Sequence, residues 1–153
     1  MIPMSGEFTP SLLRIQTCSR LNLEPILKLN RSIFQEDRVI NSWKHDVMII
    51  LLATYNEIPV AFKLGYGISS TSFYSAKGGV IQGFRRKGVA TSLLINMMSI
   101  AKKSGFSRFG YHTFPHLHDG MLELGISSGF KIKSSKWNEH HEAMQYYLEK
   151  EIG

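Results

Sequence analysis

One window constrains the fold of this chain more than any other: Val80-Ile81-Gln82-Gly83-Phe84-Arg85-Arg86-Lys87-Gly88-Val89-Ala90-Thr91. A strand end passes into three consecutive cations, and an apolar helical period starts straight after a glycine. Cations just ahead of a helix N-terminus oppose its dipole, at a cost of about 0.3–1 kcal/mol each. Stability alone would place Asp or Glu there. The pattern becomes favourable when an anion occupies the free N–H groups of the first turn, which Gly88 and Ala90 leave open to close approach. A solvated basic loop is the plain alternative. The strand–loop–helix context and the small residues favour the anion site. No Gly-Lys-Ser/Thr follows, which excludes a Walker loop, and no dinucleotide fingerprint is present.

The charge distribution points the same way. The chain carries 18 Lys and Arg against 12 Asp and Glu, a formal charge of +6. Residues 58–118 contain no acid, yet hold Lys63, Lys77, Arg85, Arg86, Lys87, Lys102, Lys103 and Arg108. The whole excess therefore sits in one segment, expected to face an anionic partner. No carboxylate in it can serve as a metal ligand or a base.

Length and composition suit one domain: 153 residues, 43% hydrophobic and 20% charged, with the core expected at about 12–149. Cys18 is the single cysteine, so no internal disulfide forms; it reads as a buried structural thiol in a reducing compartment. The first residues lack the basic-then-apolar order of a signal peptide. The strongest apolar run, 47–53, is far short of the roughly 18 residues a membrane span needs. These features lead us to expect a cytoplasmic protein without membrane contact.

Periodicity predicts a strand at 12–17, then a helix carrying Leu21, Ile26, Leu29 and Ile33 with Ser19 as its N-cap. Residues 35–46 suggest a second short helix or a helical loop. Strands follow at 47–54, 60–66 and 72–82, the first two as an antiparallel hairpin, the third with a bulge or close approach at Gly78-Gly79. A helix at 88–104 has an apolar face of Val89, Leu93, Leu94, Met97, Ile100 and Ala101, with Gly105 at its C-cap. A strand at 107–113, a helix at 117–128 and strands from 130 and around 144–148 complete a mixed α/β chain with one sheet.

With these residues in place, Arg85-x-x-Gly88-x-Ala90 resembles the Gln/Arg-x-x-Gly-x-Gly/Ala signature of the GNAT acetyltransferase superfamily. The run GGVIQGFRRKGVATSLL resembles that family's central strand, pyrophosphate loop and helix. MLELGISSGF, from Met121 to Phe130, resembles its next helix. Two motifs in the expected order, over nearly the whole chain, make the resemblance specific. It implies a mostly antiparallel sheet of about six or seven strands flanked by helices, with splayed central strands. It also implies acetyl-CoA as co-substrate, in contact with Val80, Ile81, Gln82, Arg85, Arg86, Lys87, Gly88, Val89, Ala90, Thr91 and His118. Small enzymes of this kind often dimerise, so a homodimer is among the expected assemblies.

The implied reaction is direct attack of an amine on the thioester, the protein positioning both and removing a proton. A backbone N–H near Val80 or Ile81 is a candidate to polarise the carbonyl. The chain departs from the family at Gly125, where many members have Tyr, and at His118, where an Asn is frequent. The candidates for acid–base chemistry are His118 and Tyr74, then Tyr111 and His112, each set against an ordinary packing role. His112, His116 and His118 with Asp119 could ligate zinc, but their spacing crosses a strand end and a proline, so no metal is expected. Glu36, Asp37 and Glu139 could attract a cationic amine and Trp43 and Trp137 could wall its pocket, with 134–141 read as a loop. The acceptor is a small-molecule or peptide amine. A non-catalytic acyl-CoA-binding protein is the alternative; a nucleic-acid module is disfavoured, since no basic recognition helix or exposed aromatic pattern is present.

Overall fold

A computed structural model describes residues 6–116 and 119–153. One seven-stranded sheet runs through it in the order β1-β2-β3-β4-β5-β7-β6. The strands are β1 (Leu13–Thr17), β2 (Met48–Tyr55), β3 (Ile58–Gly67), β4 (Ser72–Val80), β5 (Arg108–Thr113), β6 (Lys131–Asn138) and β7 (Ala143–Glu151), and the helices are α1 (Glu24–Phe34), α2 (Val89–Lys103) and α3 (Asp119–Ser127). All neighbouring strands are antiparallel except β4 and β5.

The β2–β3 hairpin turns on Asn56 and Glu57, both at positive φ, the geometry of a two-residue turn that matches strand twist. In α1, Pro25 lies in the first turn, where its missing N–H costs nothing, and Glu24 and Arg31 complement the dipole at either end. Ile26 and Leu29 of α1 are buried. Phe34 meets Phe62 of β3 edge-on, at 6.4 Å between ring centroids. On the other face, Val89, Leu93, Leu94, Met97 and Ala101 of α2 are buried, and this stripe packs on β2, β3 and β4. The two helices therefore cover opposite faces: Phe62 and Gly79 lie under α1, and Lys63, Phe73 and Gly78 lie under α2.

Several expectations change. Residues 35–46 form no helix. The segment is held by distant donors: Asn30 Nδ2 donates to the Glu36 carbonyl at 2.9 Å, and Arg20 donates to the Trp43 carbonyl at 2.8 Å. Ser19 does not cap α1; Leu23 stands at the N-cap with no side-chain bond, and the Ser19 hydroxyl accepts from the Leu21 N–H instead. The bulge of β4 falls on Ala76, between the pairs Leu64↔Lys77 and Gly65↔Ser75, not on Gly78-Gly79. Close approach does explain Gly79, since a Cβ there would stand 3.0 Å from the Phe34 ring. Residues 131–138, read in part as a loop, are strand β6 at the sheet edge.

Candidate active site

β4 and β5 pair over three registers only, Ser72↔Arg108, Phe73↔Phe109 and Tyr74↔Gly110. Beyond these, β4 runs to Val80 and β5 to Thr113 without pairing, so the sheet opens between them. Phe73 holds the joined end: it is fully buried, stacks on Phe109 at 5.6 Å and meets Phe106 at 5.3 Å.

At the far end of β4 the chain makes a short turn, Gln82–Phe84, and passes through Arg85, Arg86 and Lys87 into α2. Gly88 is the N-cap residue at φ 82°, a conformation that disfavours side chains, and no side chain caps the helix. No acid lies in the first turn. The N–H groups of Val89, Ala90 and Thr91 therefore have no intrahelical acceptor. Arg85 folds back so that its Nε donates to the Val80 carbonyl at 3.0 Å, tying the loop to the strand. Ile81 is buried, and its N–H donates to the Val60 carbonyl at 2.9 Å, so it is committed within the sheet. Of the three residues placed against the cofactor ahead of the loop, Gln82 alone is exposed.

The cations of the acid-free segment do not all converge on this loop. Lys63 is 6% exposed within the sheet, and burial lowers its pKa to about 8. Lys77 pairs with Glu36 and lies 4.5 Å from the Phe34 ring centroid. Lys102 and Lys103 sit at the opposite end of α2, where they suit its dipole. Arg108 starts β5 at the joined end, opposite Ser72, so of the eight cations Arg85, Arg86 and Lys87 remain at the opening, and all three are exposed.

The vertex carries the polar chemistry. The Tyr74 hydroxyl lies 2.7 Å from His112 Nδ1, bridging β4 to β5 where they part. Burial, then the nearby Tyr66 and Tyr147, pushes Tyr74 up to about 12, which keeps it a phenol. Burial, then Lys136, lowers the His112 pKa below its ordinary value, so the ring is neutral at pH 7. The His112 ring packs 4.9 Å from that of Tyr147, and the Tyr147 hydroxyl donates to Glu149 at 3.2 Å. Burial, then Glu149, raises Tyr147 to about 12 as well. Gly110 makes this layer possible: a Cβ there would fall 2.2 Å from the Tyr147 hydroxyl. All these side chains stand on the α1 face of the sheet.

Tyr111 faces the other way, is 3% exposed, and donates to the Met121 carbonyl at 2.6 Å. It is a structural residue, and it accounts for Gly125. A Cβ at position 125 would stand 2.1 Å from the Tyr111 hydroxyl, so a side chain there would have to displace Tyr111 from its bond to Met121. His118 lies outside the described residues. Among the described residues, no three His, Cys, Asp or Glu side chains are disposed to hold a metal ion, and no helix is long and apolar enough to cross a membrane. Glu36 and Asp37 are both paired, with Lys77 and Arg31. A cleft of about 590 Å³ opens at the joined end of the strands, beside His45, Ser69 and Phe106; the His45 ring stacks on Tyr66, whose ring lies 5.8 Å from that of Tyr74.

Sequence reasoning missed Tyr147 and Glu149. Their signal is strand parity: Gln145, Tyr147 and Glu149 share one face of β7, while Leu148 takes the other and is fully buried.

No family model matches the chain, and no curated protein matches it. Solved structures do. The ribosomal-protein-S18-alanine N-acetyltransferase from Escherichia coli superposes with a TM-score of 0.79 at 12% identity, over 92% of this chain and 94% of that one. A GNAT family acetyltransferase from Elizabethkingia anophelis, with acetyl-CoA bound, gives 0.73 at 18% identity, over 92% and 99%. The aminoglycoside 6'-N-acetyltransferase from Enterococcus faecium gives 0.74 at 15% identity, over 92% and 97%. At these identities the likeness is one of fold: this chain has the fold of the GNAT acetyltransferases.

Proposed function

We propose that this protein transfers an acetyl group from acetyl-CoA to an amine, using the β4–β5 opening as its active site. The observation that carries the proposal is the Tyr74–His112 hydrogen bond at the vertex of that opening, with an uncapped helix start at its mouth. The residues present fit the cofactor: three exposed cations and free N–H groups suit a diphosphate, and the unpaired edge of β4 suits an extended amide arm. Arg85, Arg86, Lys87, Gly88, Val89, Ala90 and Thr91 would hold the diphosphate. Acetyl-CoA supplies a thioester, whose carbonyl carbon bonds to the amine nitrogen as the C–S bond breaks and the thiolate leaves.

The side chains at the vertex supply the base. In the tautomer with the proton on Nδ1, His112 donates to the Tyr74 oxygen and leaves Nε2 with a free lone pair. A neutral imidazole so held can take a proton from the incoming ammonium. Tyr74, held as a phenol, orients the ring. The Tyr147 ring packs against His112 and restricts it. The commitment of the Ile81 N–H to Val60 removes it as a donor to the thioester carbonyl. The acceptor approaches from the α1 face, where His112 is exposed.

The non-catalytic reading draws on one observation: α3 has Gly125 where a tyrosine would stand, and the neighbouring Tyr111 hydroxyl is committed to the Met121 carbonyl. Two measurements separate the readings. Thermal stabilisation by acetyl-CoA is expected, followed by thiol release with a mixed panel of small amines and peptides. No stabilisation at saturating acetyl-CoA would sink both readings. Stabilisation without thiol release across the panel would leave the binding protein.

A further inference from the structure

The Thr113 side chain is 4% exposed, and its Oγ1 has no hydrogen-bond partner among the described residues. A buried hydroxyl without a partner carries a desolvation cost that valine, its isostere, would avoid. Its position explains why a hydroxyl stands there. Thr113 is the last residue of β5, three beyond Gly110, where pairing with β4 ends. One edge of β5 still pairs with β7, through Thr113↔Tyr146, and the other faces the opening. Counting on from Tyr74↔Gly110, and allowing for the bulge at Ala76, Thr113 stands level with Gly78. That level lies midway between the vertex and the cation-rich loop. It is also on the α2 face, the side on which the uncapped helix begins.

We propose that Thr113 is a cofactor-binding residue, its hydroxyl bonding an amide of the pantetheine arm on the β5 wall of the opening. This rests on the acetyl-CoA reading above and adds to it. An arm running from the vertex to the loop must pass this level, and its amides are the polar groups it carries. Gly78 opposite has no side chain to obstruct it. A threonine hydroxyl both donates and accepts, so it can serve either end of an amide.

The test compares T113V and T113S with the unaltered protein, using coenzyme A and 3′-phosphoadenosine 5′-diphosphate, which carries all three phosphates but no arm. T113V is expected to melt at the same or a higher temperature without ligand. Its Kd for coenzyme A should rise about fivefold to tenfold, the loss of one hydrogen bond, while its Kd for 3′-phosphoadenosine 5′-diphosphate stays within about twofold. T113S should keep coenzyme A affinity within about twofold, since the hydroxyl is retained. The proposal is overturned by T113V that binds coenzyme A as the unaltered protein does, or that loses both ligands in parallel. Failure of the unaltered protein to bind coenzyme A would instead overturn the acetyl-CoA reading, and this proposal with it.

Discussion

β4 and β5 are joined at one end and parted at the other, and the two ends are built from opposite chemistry. At the joined end, Phe73, Phe106 and Phe109 fill the α2 face with aromatic contact, and the backbone groups pair across the strands. At the parted end, the groups left over are polar: the N–H groups at the start of α2, the Thr113 hydroxyl, and the edge of β4 from Ser75 to Val80. Tyr74 and His112 stand at the boundary. The contrast teaches where to look for function in this fold. The sheet binds where its own hydrogen bonding stops, and the aromatic cluster keeps the strands together just short of that point.

The sharpest way to break the contrast is to empty the joined end. Phe73→Ala removes a fully buried ring and is expected to cost about 3–5 kcal/mol, read as a fall in the urea midpoint. A cost below about 1 kcal/mol would mean that this cluster does not hold the vertex.

A smaller effect in free energy falls on the boundary. His112→Ala should lower kcat/KM by about a hundredfold, with little change in coenzyme A affinity. In the unaltered protein, kcat/KM should fall with acid as His112 gains a proton, at a pH below its ordinary 6.5 because burial and Lys136 disfavour the cation. A variant that keeps full turnover would remove His112 as the base.

The two ends differ in how legible they are in the sequence, for physical reasons. The strands and α2 repeat their apolar residues at periods set by local geometry, so the spacing of Leu93, Leu94 and Met97 is enough to mark a buried face. The cation-rich loop and Gly88 are legible because a helix start is a local event. Residues 35–46 are not, since their shape depends on Asn30 and Arg20, which are distant in sequence. The bulge at Ala76 is hidden by the glycines beside it, which serve α1 and a cross-strand lysine instead. Tyr74 and His112 are both visible as residue types, yet their meeting depends on where a parallel pair of strands parts. Gly125 reads in the sequence as a missing acid, whereas in the fold the Tyr111 side chain fills its space.

Lys63 tests the parted end from behind, since its stem lies against Gly78. Its pKa is lowered from 10.5 to about 8 by burial. Between those values the unfolded chain binds more protons than the folded one, so stability rises with pH through that window, and the full penalty applies below it. Tyr74, Tyr111 and Tyr147 act in the opposite sense above pH 10, because the folded state raises their pKa values to about 12. Burial also raises the Cys18 thiol above its ordinary 9.0, with the same sense as the tyrosines, so urea unfolding from pH 7 to 9.5 in a Cys18→Ser background isolates the lysine. Lys63→Met should gain about 2 kcal/mol at pH 7 and flatten the rise. An unchanged slope would show that another group sets it.

The smallest expected effect sharpens the parted end at its mouth. Arg85 ties the loop to β4 through the Val80 carbonyl and adds one charge beside the free N–H groups of α2. Lys131 carries the same charge on β6, at the far edge of the sheet. Arg85→Glu should raise the Kd for coenzyme A about tenfold at low salt, and Lys131→Glu by less than about twofold. Arg85→Gln, which keeps a donor but loses the charge, should fall between them. Added salt should shrink the Arg85→Glu effect, since exposed charges are screened within about 8 Å at physiological strength. Equal losses at positions 85 and 131 would mean that net charge, and not the loop, draws the ligand. The mouth of the opening would then be no different from the rest of the surface.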